Sequence, residues 1–148
     1  MTDLTARAHV LVDASPEQVW ETITSPELTP FWMGGARVSS DWKPGSLVTW
    51  SGVVGGHPFA DSGTVLEVDA PRRLITTHRS GGLSRADVPE DPHVVTDDIV
   101  AEDGATLVSV TQVGDQRARA IPEYEKAWAQ MLHALKDVVE HGPGAAQA

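Results

Sequence analysis

SPEQVWETITSPELTPFW occupies residues 15–32. Ser-Pro-Glu opens it and returns at 25–27, and it closes on Phe31-Trp32, just ahead of Gly34-Gly35. Ser15 reads as an N-cap. Pro16 takes the first helical position and Gln18 stands three residues after the cap, the pattern of a capping box. Val19, Trp20 and Ile23 then fall on one side of a short helix. The second Ser-Pro-Glu repeats the start signal, and Leu28, Phe31 and Trp32 give a second short helix its apolar side. The stretch thus predicts two short helices with a break at Thr24-Ser25, each burying one face.

Upstream, TARAHVLVDA alternates, with Ala6, Ala8, Val10 and Val12 on one face, and reads as a strand. Downstream, ARVSSDW, the turn KPGS and LVTWSGVV suggest two strands. GGHPFADSG (55–63) reads as a loop. TVLEVDA and RRLITTHRS flank Pro71. HVVTDDIVAE and TLVSVTQVG flank Asp103-Gly104, a hairpin signal. The spacing suits an antiparallel meander. GGLSRADVPEDP (81–92) is the longest connection without a pattern, a flexible loop or a lid. A long helix follows from Pro122 to His141, about 30 Å at about 1.5 Å per residue. Tyr124, Trp128, Met131, Leu132, Leu135, Val138 and Val139 form its apolar stripe, and Gly142-Pro143 ends it. Residues 142–148 read as a flexible tail.

Strand, two short helices, a run of antiparallel strands and a long C-terminal helix give an α+β domain, a curved sheet gripping one amphipathic helix. VLVDASPEQVWETITSPELTPFW, GTVLEVDAPRRL and WAQMLHALKDVVE resemble the SRPBCC superfamily, the START or Bet v 1-like helix-grip group. Within it they are most similar to the branch named for the activator of heat-shock-protein-90 ATPase. The resemblance spans residues 6–141 and implies a single domain over 1–148. It also implies a cavity between sheet and long helix that holds hydrophobic molecules. A minority of the superfamily catalyse cyclisation or hydrolysis.

The composition narrows the classes. The 148 residues suggest one domain, long enough to bury roughly 68–70% of its unfolded surface. There is no Cys, which excludes a disulfide scaffold, a thiolate zinc site and a cysteine nucleophile. Eleven Lys and Arg against 21 Asp and Glu leave −10, and no basic patch stands out for nucleic acid or an anionic membrane. No signal peptide or membrane span is read, so the expected location is cytoplasmic. No phosphate-binding loop or catalytic motif occurs, and no cofactor or metal is expected.

Five of the few aromatics are Trp. Trp20 reads as core filling. The resemblance puts the second short helix and the long helix at the cavity. It makes Phe31, Trp32, Trp50, Tyr124, Trp128, Met131 and Leu132 candidate ligand-binding residues. Trp indole N–H groups need partners when buried. His78 shares a strand face with Leu74 and Thr76, and Gln112 shares one with Val108 and Val110. Both are candidate polar groups inside the cavity, His78 also a candidate catalytic acid or base. His57, with Asp61 four residues on, is too small a set for a metal site. Asp97 and Asp98, adjacent on a strand, point to opposite faces and read as solvated.

Three functions follow. The first is binding of a small hydrophobic molecule. The second is an enzyme, cyclase- or hydrolase-like, acting on a hydrophobic polyketide-like substrate in the same cavity. The third is a chaperone-associated interaction module, after the co-chaperones that name the branch. The expected assembly is a monomer or homodimer, since an open meander edge can pair.

Overall fold

The computed structural model describes residues 4–80, 93–114 and 120–143. The connection read over 81–92 and the last five residues of the tail lie outside them. In chain order the elements are β1 (Leu4–Val12), α1 (Pro16–Thr24), a 3-10 turn (Thr29–Phe31), β2 (Arg37–Ser40), β3 (Leu47–Val54), β4 (His57–Asp69), β5 (Arg73–Ser80), β6 (His93–Glu102), β7 (Ala105–Gly114) and α2 (Ile121–His141). The seven strands form one curved antiparallel sheet in the order β1-β7-β6-β5-β4-β3-β2. This is the α+β helix-grip arrangement.

The capping box forms as its residues dictate. Gln18 N–H donates to Ser15 Oγ at 3.2 Å, and Ser15 N–H donates to Gln18 Oε1 at 3.0 Å. Val19, Thr22 and Ile23, spaced for one helical face, are buried. The second helix shrinks to a single 3-10 turn. Ser25 Oγ bonds the Glu27 side chain rather than a backbone amide, and Pro30 has no N–H to continue a helix. Gly34 and Gly35, with φ of 65° and 92°, then turn the chain into β2.

GGHPFADSG is not a loop. Gly55 and Gly56, at φ 58° and 81°, make a two-residue hairpin turn, and His57–Gly63 is the first half of β4, paired in register from Val54↔His57 to Val48↔Gly63. His57, Pro58 and Ala60 are exposed whichever face they lie on, so the apolar alternation that marks a strand is missing. Asp103-Gly104 does turn the β6–β7 hairpin, with φ of 49° and 85°.

The core lies between the sheet and α2. Leu132, Leu135 and Val138 of α2 are buried in one cluster with Val10, Val12, Ile99, Val108 and Val110. Each such side chain contributes about 1.5–3 kcal/mol. α2 packs chiefly along β1. It also covers that strand's free edge with side chains. Arg7 N–H donates to Glu125 Oε2 (2.9 Å), Asp13 N–H to Glu140 Oε2 (2.7 Å) and Lys136 Nζ to the Leu11 carbonyl (2.8 Å). At the opposite end of the sheet, Val38 N–H of β2 donates to Thr29 Oγ1 at 3.0 Å. Among the described residues no helix is long and apolar enough to cross a membrane.

The β1 clamp should be acid-sensitive. The Asp13 amide, then Lys136 at 2.6 Å, hold the Glu140 carboxyl below its ordinary pKa. A group whose pKa folding lowers stabilises fully above the ordinary carboxylate range and loses that contribution as pH falls through its folded-state value. Glu140→Gln should therefore cost about 1–2 kcal/mol at neutral pH, by weakening hydrogen bonds to a charge. Thermal melts of both proteins across the acid range should show the gap closing. A gap that is constant with pH would exclude this role.

Candidate ligand site on the inner face of the sheet

Period-two alternation decides what the sheet turns toward α2. β3 turns in Val48 and Trp50, β5 Leu74, Thr76 and His78, and β7 Val108, Val110 and Gln112. β6 turns in His93, Val95, Asp97 and Ile99. Most of this surface is apolar and closed, but three polar groupings interrupt it.

The first is His78 with Asp61. Trp50 and Asp61 are direct partners across β3 and β4. Asp61 Oδ2 lies 3.0 Å from His78 Nε2, with the two side chains 24% and 31% exposed. The Trp50 ring stands edge-on to the imidazole, 5.2 Å between centroids at 69°. With the carboxylate accepting from Nε2–H, Nδ1 keeps its lone pair for another partner.

The second grouping joins the sheet to α2. Trp128 Nε1–H donates to Gln112 Oε1 at 2.9 Å, and Gln112 Nε2 lies 3.0 Å from His93 Nδ1. Indole N–H can only donate, so it fixes the amide oxygen toward itself. The amide nitrogen must then donate to Nδ1, which puts the His93 proton on Nε2. Tyr124 packs edge-on against His93, 5.6 Å away at 87°. Gln112 is 4% and His93 8% exposed. His78 and His93 are register partners across β5 and β6, so the two groupings are neighbours.

The third is Asp97. It follows Val95 on the inner face, with Leu74 and Val110 beside it across the ladders. Asp98, pointing outward, is paired with Arg73 at 2.7 Å. Burial, and then the like charge of Asp98, push the Asp97 carboxyl up to about 7.

Of the residues singled out in the sequence, the structure brings together Trp50 with His78 and Gln112 with Trp128, while Tyr124 packs on His93. Phe31 and Met131 are part-covered and packed against the core. Leu132 is fully buried within it. Trp32 is also buried, its indole N–H donating to the Thr22 carbonyl at 3.0 Å, so it ties the 3-10 turn to α1. Asp61 finds its histidine in His78 rather than His57, which is exposed at the hairpin turn. Sequence reading missed His93 and took Asp97 as solvated. The alternation His93, Val95, Asp97, Ile99 carried the signal for both.

A separate open cleft of about 550 Å³ lies where β5 and β6 meet the start of α1. Arg72, Arg73, Asp69 and Asp98 line it, but they already pair among themselves at 3.3 and 2.7 Å. Among the described residues no group of three or more His, Asp or Glu side chains could hold a metal ion.

The family model of Activator of Hsp90 ATPase homolog 1-like protein matches residues 13–140. The chain belongs to this family. Its fold is similar to the solution structure of ChR145 from Cytophaga hutchinsonii, at 33% identity and TM-score 0.79, covering 95% of this chain and 97% of that one. It is also similar to the Aha1 dimer from Colwellia psychrerythraea, at 18% identity and TM-score 0.73, covering 95% and 99%. DynU16, a protein of the dynemicin biosynthetic locus, shares the fold at 19% identity and TM-score 0.77, with 95% of this chain matching 49% of that one. None of the curated proteins compared matches the chain. The likeness settles the helix-grip fold.

Proposed function

We propose that the protein binds a small, largely apolar molecule between the inner face of the sheet and α2. One observation carries this. Phe31, Trp50, Trp128 and Met131 pack on the core yet stay part-accessible, and Trp50 and Trp128 contact the polar groups His78 and Gln112. Apolar walls with a few convergent polar groups are what such sites require. On this reading the domain, with its core over residues 6–141, acts without a cofactor, in the cytoplasm, as a monomer or homodimer.

Native mass spectrometry followed by denaturing extraction should find a hydrophobic passenger. Titration with the neutral fluorophore N-phenyl-naphthylamine should show one saturable site. Met131→Trp, which fills space at a part-covered position, should weaken that binding at least about tenfold, or ~1.4 kcal/mol. Neither passenger nor probe binding would reject the site.

The His78–Asp61 hydrogen bond favours a second reading, catalysis on a molecule held there. The carboxylate orients the ring, the arrangement of a general base. His78→Ala would then lower turnover more than binding.

A further inference from the structure

Asp97 differs from the other ionisable or amide side chains of the inner face. His78 is bonded to Asp61, and Gln112 links His93 to Trp128. No side chain among the described residues hydrogen-bonds to or pairs with the Asp97 carboxylate. Its surroundings are apolar: Val95 and Ile99 along its own strand, Leu74 and Val110 across the ladders, all buried. α1 contributes Val19, Thr22 and Ile23 to the buried side, and α2 contributes Leu132, Leu135 and Val138. The charge that reaches Asp97 is that of Asp98, which has the same sign. Yet Asp97 is only part-covered, while its flanking residues are closed. By register it belongs to the inner face of the sheet, with Val95 and Ile99.

A carboxylate held among apolar groups without a partner is costly, and the cost is relieved by a positive charge brought to it. Water is a weaker competitor there than at a surface, so the attraction is less screened. We propose that the molecule taken up by this protein carries a protonated amine, and that Asp97 receives that amine as its counter-ion. This rests on the inner face being the binding site. An apolar body would lie against Trp50, Trp128 and Met131, with its ammonium group at β6. A neutral hydroxyl could bond the same oxygens but would bring no charge, and an anion would be repelled. With the Asp97 carboxyl pushed up to about 7, an incoming cation would also displace a proton from the fraction still protonated at neutral pH.

The test uses the whole protein and three probes with the same ring system: naphthylmethylamine, naphthylmethanol and naphthylacetate. Calorimetry at about pH 8, where Asp97 is mostly ionised, should rank the amine above the alcohol by about tenfold or more, with the acetate weakest. Asp97→Asn should erase the amine's advantage while keeping the alcohol and N-phenyl-naphthylamine. Near neutral pH, the amine's binding heat should vary with the buffer's ionisation enthalpy, reporting proton release by the unsubstituted protein even if the variant folds poorly. An alcohol that binds as well as the amine, or an amine preference that survives in Asp97→Asn, would overturn the proposal and leave the site standing. So would the absence of proton release. If none of the probes binds, N-phenyl-naphthylamine included, the site itself is wrong and the proposal falls with it.

Discussion

Gly63→Ala should abolish the stable fold. A Cβ built on Gly63 would stand 1.8 Å from the Thr77 carbonyl oxygen and 2.7 Å from its carbon. Both are backbone atoms of the neighbouring strand, so no side chain can swing aside. β4 and β5 come together here because Thr64 N–H donates to Thr77 Oγ1 at 2.8 Å. The ladder then shifts register between Val65 and Glu67. Inserting a methyl group would force the strands apart in the middle of the sheet. The expected loss exceeds about 4 kcal/mol, at the extreme of single substitutions. Denaturant unfolding, or failure to recover soluble protein, would show it. A variant as stable as the parent would mean that β4 and β5 do not approach this closely.

Gln112→Leu should be the most damaging change at the candidate site itself. Leu is close in size, so the loss is of hydrogen bonds rather than of volume. Trp128 Nε1–H and His93 Nδ1 would both lose the partner they share. A buried polar group left unsatisfied costs roughly 1–3 kcal/mol, so two groups bring the total to about 2–6 kcal/mol. For a domain of this size that is a fall in Tm on the order of 5–15 °C. Trp128 fluorescence should shift as the indole loses its acceptor. An unchanged Tm would mean that apolar packing alone seats α2 and that the Gln112 link is incidental.

What could be read in the sequence was local. The Ser15–Gln18 box, the Asp103-Gly104 turn and the bounds of β3 and β6 each depend on a few neighbouring residues, and each appears in the structure. The second helix is present but is held to one 3-10 turn at Thr29–Phe31, where Pro30 supplies no N–H. The first half of β4 was missed because its pairing with β3 comes from the Gly55-Gly56 turn and not from its own apolar pattern. His78 and Gln112 were placed on the inner face by alternation alone. The partners of those residues were not legible. Whether Asp61 meets His57 or His78 depends on how β4 and β5 register, and the two are 17 positions apart. Asp97 was set aside on a general preference of carboxylates for water, although Val95 and Ile99 on either side pointed inward.

An open sheet ordinarily ends in two rows of bare backbone groups, each a template on which another chain can grow. Here part of each row is occupied. Glu125, Lys136 and Glu140 reach over β1, and Thr29 takes the amide of β2, which is four residues long. A second copy adding by strand pairing would first have to evict side chains that α2 and the 3-10 turn hold in place. Self-association of this fold is thereby steered away from its edges and toward its faces, and α2 guards against runaway stacking as well as closing the core.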